Sequence, residues 1–157
     1  MNRILLEEIL KKMKNNLENQ KDIGNLKVGA LYAIGSQLEA IFYFIGHELG
    51  SKFTDSPKQE KLSEFLAFVA KKYDLGLFKV KEEDDEHIIF SLGKCKSSED
   101  IATANIKSET MFCSFEAGLF AGLVEKVTKK HCFAQEQACK VQGIVDECEF
   151  IIVIPKE

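Results

Sequence analysis

Hydrophobic residues recur at helical spacing in three stretches of the first half of the chain. Residues 3 to 19 carry one apolar stripe, residues 28 to 52 carry a longer one, and a third follows the helix-start signal at residues 56 to 59. Residues three and four apart share one face of a helix, so each stretch predicts an amphipathic helix. The stripes are Leu6, Leu10, Met13 and Leu17; then Leu31, Ile34, Leu38, Ile41, Ile45 and Leu49; then Leu62, Phe65, Leu66 and Val69.

Alternating residues in the second half predict two hairpins with a fourth helix between them. The first hairpin has an acidic turn at residues 83 to 86, which lacks the spaced ligands and the glycine of a calcium loop and is interpreted as a solvated turn. The second hairpin turns at Gly143, and residues 151 to 154 are apolar on both faces, as expected of a central strand. The predicted elements are strands at 77–82 and 87–92, a helix at 113–129 and a hairpin over 132–154.

These elements define the fold class. Residues 94 to 110 are polar with little periodicity, and they predict a long connection, in part helical, of the kind that covers a site as a flexible lid. The order αααββαββ indicates an α+β domain in which helices cover an antiparallel four-stranded sheet. The chain fits a single domain, residues 1 to 157. Residues 1 to 25 form an N-terminal helical extension, which either packs on the domain's own core or provides the seam of a homodimer.

Glycines inside the predicted helices indicate close packing of backbones. Gly46 and Gly50 predict such an approach in the second helix, and Gly118 and Gly122 predict it between the fourth helix and the sheet. His47 lies between two of these glycines and is interpreted as an ordinary surface or core residue rather than a ligand.

Composition narrows the classes of function. The net charge of -4 leaves no basic footprint for nucleic acid, and no apolar run approaches the length of a membrane span. The charged start is unlike a secretory signal peptide, so we expect a cytoplasmic protein whose five cysteines are reduced or metal-bound. No phosphate loop, nucleotide fingerprint or Ser/His/Asp arrangement is recognisable, so the sequence does not indicate an enzyme.

Three cysteines and one glutamate are spaced as a closed metal site would require. Cys113 stands at a helix start, Glu136 and Cys139 form E-x-x-C, and Cys148 follows nine residues later. A tight turn midway between Cys139 and Cys148 would place these two residues opposite each other. In a regular strand, positions 136 and 139 point to opposite faces, so joint ligation requires a bulge or a distorted strand end between them.

Spacing alone leaves three interpretations of this set. The four residues could bind zinc, or the thiols could be free and buried with Glu136 exposed. Alternatively, Cys139 and Cys148 could form a cross-strand disulfide, which a cytoplasmic compartment disfavours. Cys95 and Cys132 have no evident place in the set and are interpreted as ordinary core or loop residues.

The same residues carry a resemblance to a known family. The C-terminal half resembles the 4-vinyl reductase domain, of the type that stands alone in archaea, and the resemblance covers about residues 28 to 154. It implies a fold shared with Bet3-type vesicle-tethering subunits and with haem-based nitric oxide sensor domains. The matching sequences are CSFEAGLFAG from Cys113 to Gly122, Glu136-x-x-Cys139, Cys148-x-Phe150 and Gly46-x-x-Leu49-Gly50.

The resemblance also implies a cofactor and a ligand. In the phenol-sensing relatives the four corresponding positions bind structural zinc, which here implies zinc at Cys113, Glu136, Cys139 and Cys148. The family further implies an apolar pocket between helices and sheet. The phenol sensors use tryptophan in that pocket and this chain has none, so the expected ligand is a small apolar or aromatic molecule rather than phenol itself. The predicted lining is Phe42, Phe44, Phe65, Phe68 and Phe90.

The leading hypothesis is therefore a zinc-stabilised domain that binds a small molecule as a sensor or carrier. The alternative is a non-catalytic assembly subunit resembling the tethering relatives, for which a collapsed interior and a large dimer face would be evidence. An accessory role in tetrapyrrole vinyl reduction is the third hypothesis.

Overall fold

The computed structural model describes residues 38 to 54, 61 to 103 and 111 to 156. The predicted helix over residues 3 to 19 and the helix-start signal at residues 56 to 59 lie outside these ranges. The described elements are α1 (Leu38–Ser51), α2 (Leu62–Lys72), β1 (Leu77–Glu83), β2 (His87–Gly93), α3 (Lys96–Thr103), α4 (Ser114–Thr128), β3 (Phe133–Ala138), a 3-10 turn (Lys140–Gln142) and β4 (Cys148–Val153).

The four strands form one antiparallel sheet in the order β1-β2-β4-β3. Residues of β4 alternate between buried and half-buried, so one face of the sheet lies against the helices and the other faces outward. β4 pairs with a strand on each side, as its apolar sequence predicted. The predicted α+β class with a four-stranded antiparallel sheet is confirmed.

α4 is the central helix of the domain. Ten consecutive residues, Phe115 to Val124, are buried, which is the pattern of a helix covered on all sides. On one side it packs on the sheet, on β3 and β4 and also on β2, where the ring of Phe120 lies 5.1 Å from that of Phe90. On the other side it is covered by α1. The layers are therefore sheet, α4 and α1.

The prediction that Gly118 and Gly122 pack against the sheet is wrong, because their partner is α1. A Cβ atom on Gly118 would lie 2.0 Å from the Tyr43 carbonyl oxygen, and one on Gly46 would lie 2.2 Å from that of Phe115. Such distances are possible only for glycine, so the two backbones are in direct contact. Gly50 lies beside Leu119, one turn further along both helices, and α1 and α4 therefore run parallel.

The predicted flexible connection is partly an ordered helix. α3 occupies Lys96 to Thr103, and Ser97, Ser98 and Ile101 are buried. The serines tolerate burial because each donates a hydrogen bond, Ser98 Oγ to the Cys95 carbonyl at 2.9 Å and Ser97 Oγ to Glu116. Residues 104 to 110 lie outside the described ranges. Among the helices described, none is both long and apolar enough to cross a membrane.

Candidate metal centre

The four residues predicted to bind metal meet in one buried cluster. Cys113 is the N-cap of α4, Glu136 lies in β3, Cys139 directly follows β3, and Cys148 begins β4. All four side chains are buried, and their ligand atoms lie within 4.8 Å of one another. The fold thus brings together three segments of the chain that are separated by up to 35 residues.

The three sulfurs are spaced like the corners of a zinc tetrahedron. The Sγ of Cys113 lies 3.9 Å from that of Cys139 and 3.7 Å from that of Cys148, and the latter two are 3.8 Å apart. Zn–S bonds of about 2.3 Å in a tetrahedron require sulfurs about 3.8 Å apart. A cation just outside the plane of the sulfurs would therefore reach all three without movement of the backbone.

A bulge in β3 turns Glu136 towards the thiols. Glu136 pairs with Phe150 and Ala138 pairs with Glu149, so the register shifts by one residue between them. The shift inserts an extra residue in β3 and brings positions 136 and 139 to the same side. The bulge that the E-x-x-C spacing required is present.

Glu136 has one oxygen that hydrogen bonds do not satisfy. Its Oε2 accepts a hydrogen bond from the Cys113 backbone N–H at 2.7 Å. Its Oε1 is buried and has no hydrogen-bond partner in the described part of the chain. Burial, and after it the neighbouring Cys139, raises the pKa of Glu136 to about 9. A divalent cation would supply the missing partner and favour the ionised carboxylate.

The start of α4 favours negative charge at the cluster. Cys113 stands at the positive end of the helix dipole, which stabilises a thiolate. The next backbone N–H, that of Ser114, donates to Glu39 Oε2 of α1 at 3.3 Å. Burial, followed by the hydrogen bonds with the neighbouring thiols, raises the pKa of the Cys113 thiol well above its usual value. The helix end and a bound cation would both act against that shift.

The alternatives to a metal site fit the geometry less well. The 3.8 Å between Cys139 and Cys148 sulfurs is far from the roughly 2.05 Å of a disulfide, and all five cysteines are free thiols. Glu136 is buried, not exposed as the free-thiol interpretation expected. The donor set of three thiols and one carboxylate is one that zinc accepts.

A fourth thiol borders the cluster, and sequence reasoning missed it. The Sγ of Cys95 is buried 3.4 Å from that of Cys113, and Cys95, Cys113 and Glu116 form a second group of candidate ligand atoms. Cys95 reaches this place because α3 folds back beside the start of α4. No spacing signal links it to the other cysteines. Cys132, in contrast, lies away from the cluster, with its sulfur 3.6 Å from Thr128 Oγ1.

The five predicted pocket residues are divided between core and surface. Phe42, Phe65 and Phe90 are buried, whereas Phe44 and Phe68 keep 43% and 44% of their surface exposed. A pocket lined by all five would therefore have to open at the surface, and the pocket stays a prediction. Two open clefts, of about 580 Å³ and about 370 Å³, are lined by other residues.

Solved structures with this architecture include ligand-binding domains. The chain is similar to the phenol-responsive sensory domain of the transcription activator PoxR with phenol (TM-score 0.71, 14% identity, 84% of this chain and 72% of that one). It is also similar to a vinyl-4-reductase family protein from Methanocaldococcus jannaschii (TM-score 0.61, 21% identity, 99% of this chain and 98% of that one). A third is trafficking protein particle complex subunit 3 from Naegleria fowleri, covalently bound to palmitic acid (TM-score 0.56, 16% identity, 98% of this chain and 92% of that one).

The fold is the one shared by the vinyl-4-reductase family protein and the trafficking subunit, as the resemblance predicted. No protein-family model matches the chain. The chain is 33% identical to the uncharacterized protein MJ0150 of Methanocaldococcus jannaschii over 98% of its length and 94% of that protein, and it belongs to the same family. Uncharacterized protein MJ0745 of the same organism is 30% identical, over 75% of this chain and 58% of its own length.

Proposed function

We propose that this protein is a zinc-stabilised domain that binds a small apolar or aromatic molecule and acts as a sensor or carrier. The observation that carries the proposal is the buried triangle of sulfurs at 3.7–3.9 Å, completed by a carboxylate with an unsatisfied oxygen. With four protein ligands the metal site is closed, so the zinc is structural and not catalytic. Function then resides elsewhere in the domain.

The fold supports binding of a small molecule. The PoxR domain that shares this architecture responds to phenol, and the described core here is rich in phenylalanine. In this proposal the buried Phe42, Phe65 and Phe90 contact the ligand, while the partly exposed Phe44 and Phe68 line the opening. An apolar pocket with few polar groups suits a ring compound or a short hydrocarbon.

The proposal includes a cytoplasmic location and a homodimeric assembly. Five free thiols fit a reducing compartment, which supports a cytoplasmic location. A homodimer is the expected assembly, since two-fold pairing is the commonest oligomer of soluble proteins.

Metal analysis tests the first half of the proposal. Protein purified without chelator should contain about one zinc per chain, and Cys148→Ser should lose that zinc and melt at a lower temperature because binding energy is folding energy. Cys132→Ser is the matched control, because it removes a buried thiol outside the cluster and should keep its zinc. A metal-free wild-type protein, or zinc retained in Cys148→Ser, would exclude the site.

Native mass spectrometry and thermal shift test the second half. Protein purified without added ligand should carry an apolar molecule, or bind one from a panel of ring compounds and fatty acids. A ligand whose free concentration is 100 times its dissociation constant stabilises the folded protein by about 2.7 kcal/mol, which raises the melting temperature by roughly 5–10 °C. Phe65→Leu should reduce the shift more than Phe44→Ser, which alters only the rim.

One feature favours an assembly subunit as the second candidate. The rings of Phe78, Phe90, Phe120 and Phe150 stack with centroids 4.6–5.7 Å apart, which leaves no room for a ligand between α4 and the sheet at that level. The similar trafficking subunit belongs to a multi-protein complex. Absence of any retained molecule and of any thermal shift, with stable pairing to another protein, would favour this candidate.

A further inference from the structure

Two of the three histidines in the chain meet one carboxylate oxygen at the end of α4. The Nε2 of His47 lies 3.3 Å from Glu125 Oε2, and the Nδ1 of His131 lies 2.9 Å from the same atom. The three ligand atoms lie within 4.8 Å of one another. None of them belongs to the thiol cluster, which lies at the other end of α4.

The parallel packing of α1 and α4 creates this group. His47 occupies the last half of α1 and Glu125 the last turn of α4, and the backbone contact of Gly122 with the His47 carbonyl brings the two helices together there. The Cys132 backbone N–H donates to Glu125 Oε2 at 3.1 Å and orients the carboxylate. The ring of Tyr43 stacks on His47 at 6.2 Å.

The distances match the spacing of metal ligands. Bonds of about 2.1 Å from a cation to nitrogen and oxygen place neighbouring ligand atoms about 3.0–3.4 Å apart in octahedral or tetrahedral geometry. The two nitrogen–oxygen distances here are 3.3 and 2.9 Å. His47 and Glu125 are partly buried, with side-chain exposures of 15% and 27%, whereas His131 is 88% exposed. Two ligands are thus fixed and the third is able to close over an ion.

The charges around the site have opposing effects on the binding of a cation. Because α1 and α4 run parallel, the negative ends of both helix dipoles point to this end of the domain and favour a cation. Three lysines line the adjoining cleft of about 370 Å³, and their positive charges repel a cation: Lys126, Lys129 and Lys130. Lys126 donates to the Phe53 carbonyl just beyond α1, where it offsets the helix end. The site should therefore bind more weakly than the four-ligand cluster.

We propose that His47, Glu125 and His131 form a second metal site that takes a borderline divalent ion such as Zn²⁺, Co²⁺ or Ni²⁺. Two imidazoles and one carboxylate favour these ions over Mg²⁺ and Ca²⁺, which prefer oxygen ligands. Three protein ligands leave coordination positions open towards the cleft, so water or a small anionic ligand can exchange there. The site links α1, α4 and the segment that leads into β3, and it does not depend on the proposed function.

No pattern in the sequence pointed to this site. His47 alone in its helix was interpreted as an ordinary residue, and it lies far along the chain from Glu125. Glu125 and His131 lie on either side of a helix end, at a spacing with no established metal signature. Only the parallel docking of two helices makes the three residues neighbours.

Titration with Co²⁺ of protein loaded with a single equivalent of Zn²⁺, which fills the tighter four-ligand cluster first, tests the proposal. Wild-type protein should bind one further equivalent, and its spectrum should lack the sulfur-to-cobalt charge-transfer band that a thiolate site gives. Glu125→Gln and His131→Ala should each weaken this binding by more than about tenfold, since loss of even an outer-shell partner costs that much. His131 is exposed, so its removal leaves the fold intact.

His87→Ala is the matched control, because it removes the remaining histidine, which lies in the β1–β2 hairpin. It should bind Co²⁺ as the wild type does. Absence of a further equivalent in the wild type, or undiminished binding in both site variants, would overturn the proposal. A charge-transfer band would assign the added cobalt to the thiols and overturn it equally, without bearing on the structural zinc.

Discussion

Glu136 would link a bound metal to the pH dependence of the fold. In the metal-free protein, burial and then the neighbouring Cys139 raise the pKa of this carboxyl from 4.5 to about 9. Between these values the folded chain keeps a proton on Glu136 that the unfolded chain has lost. Stability therefore falls as the pH rises through this window. A bound cation would favour the ionised carboxylate and remove this dependence.

Glu136→Gln should consequently have opposite effects with and without metal. Without metal the variant should be more stable than the wild type at pH 8 and about equal to it at pH 5, because the amide cannot ionise and resembles the protonated carboxyl in shape. With zinc it should be less stable, because one ligand is lost. Chemical denaturation at both pH values measures this, and Glu82→Gln, at an exposed position, should show neither effect. If the free energy of unfolding depended on pH in the same way in the metal-free wild type and in Glu136→Gln, the role given to this carboxyl would be contradicted.

Sequence reasoning succeeded for residues whose relation is local. The E-x-x-C spacing and the hairpin identified Glu136, Cys139 and Cys148 as neighbours and required the bulge that the structure contains. The tight turn predicted midway between the two cysteines is wrong, because β3 and β4 are joined by a longer connection that contains the 3-10 turn. Sequence reasoning could not place Cys95 beside Cys113, or His47 beside Glu125. Those pairs depend on how whole helices dock, which no pattern of nearby residues encodes.

At the scale of elements, periodicity located β1, β2 and α4 within about a residue of their observed ends. It predicted that residues 94 to 110 are in part helical but gave no bounds for α3, because that helix buries serines, whose hydrogen bonds are not visible in a hydrophobic pattern. It also assigned α1 a place on the sheet, whereas α1 packs mainly on α4. A stripe shows which face of a helix is buried but not which element covers it.

The contact of α1 with α4 should tolerate no added methyl group. Gly118→Ala places a Cβ 2.0 Å from the Tyr43 carbonyl oxygen, so the helices must separate. We expect a loss of about 3 kcal/mol or more, at the upper end for overpacking, although alanine is the better helix former by about 1 kcal/mol. Urea denaturation measures the change.

Gly143→Ala provides the comparison for that experiment. A Cβ on Gly143 meets nothing within 4 Å, and only its backbone φ of +75° opposes the change. The expected loss is about 1 kcal/mol. Equal losses in the two variants would mean that the helices do not pack in direct backbone contact.

At the scale of the whole molecule, assembly is the open prediction. A homodimer would elute with about twice the chain mass of 17.7 kDa, measured by light scattering at micromolar concentration. The helix predicted over residues 3 to 19, which lies outside the described ranges, is the expected seam. Leu10→Glu should therefore shift the protein towards monomer, whereas Lys11→Glu, off the apolar stripe, should not. A monomeric wild type would exclude the dimer.

The position of β4 in the sheet bears on how the protein is made. β4 lies between β2 and β3, yet the ribosome synthesises it after every other described element. Until it emerges, β3 has no partner strand, β2 pairs only with β1, and the thiol cluster lacks Cys148. Translation therefore leaves an exposed strand edge and an incomplete set of thiols, a state prone to aggregation and oxidation. Completion of the sheet and of the candidate metal site must both wait for β4, so a nascent chain halted before Cys148 would depend on chaperones.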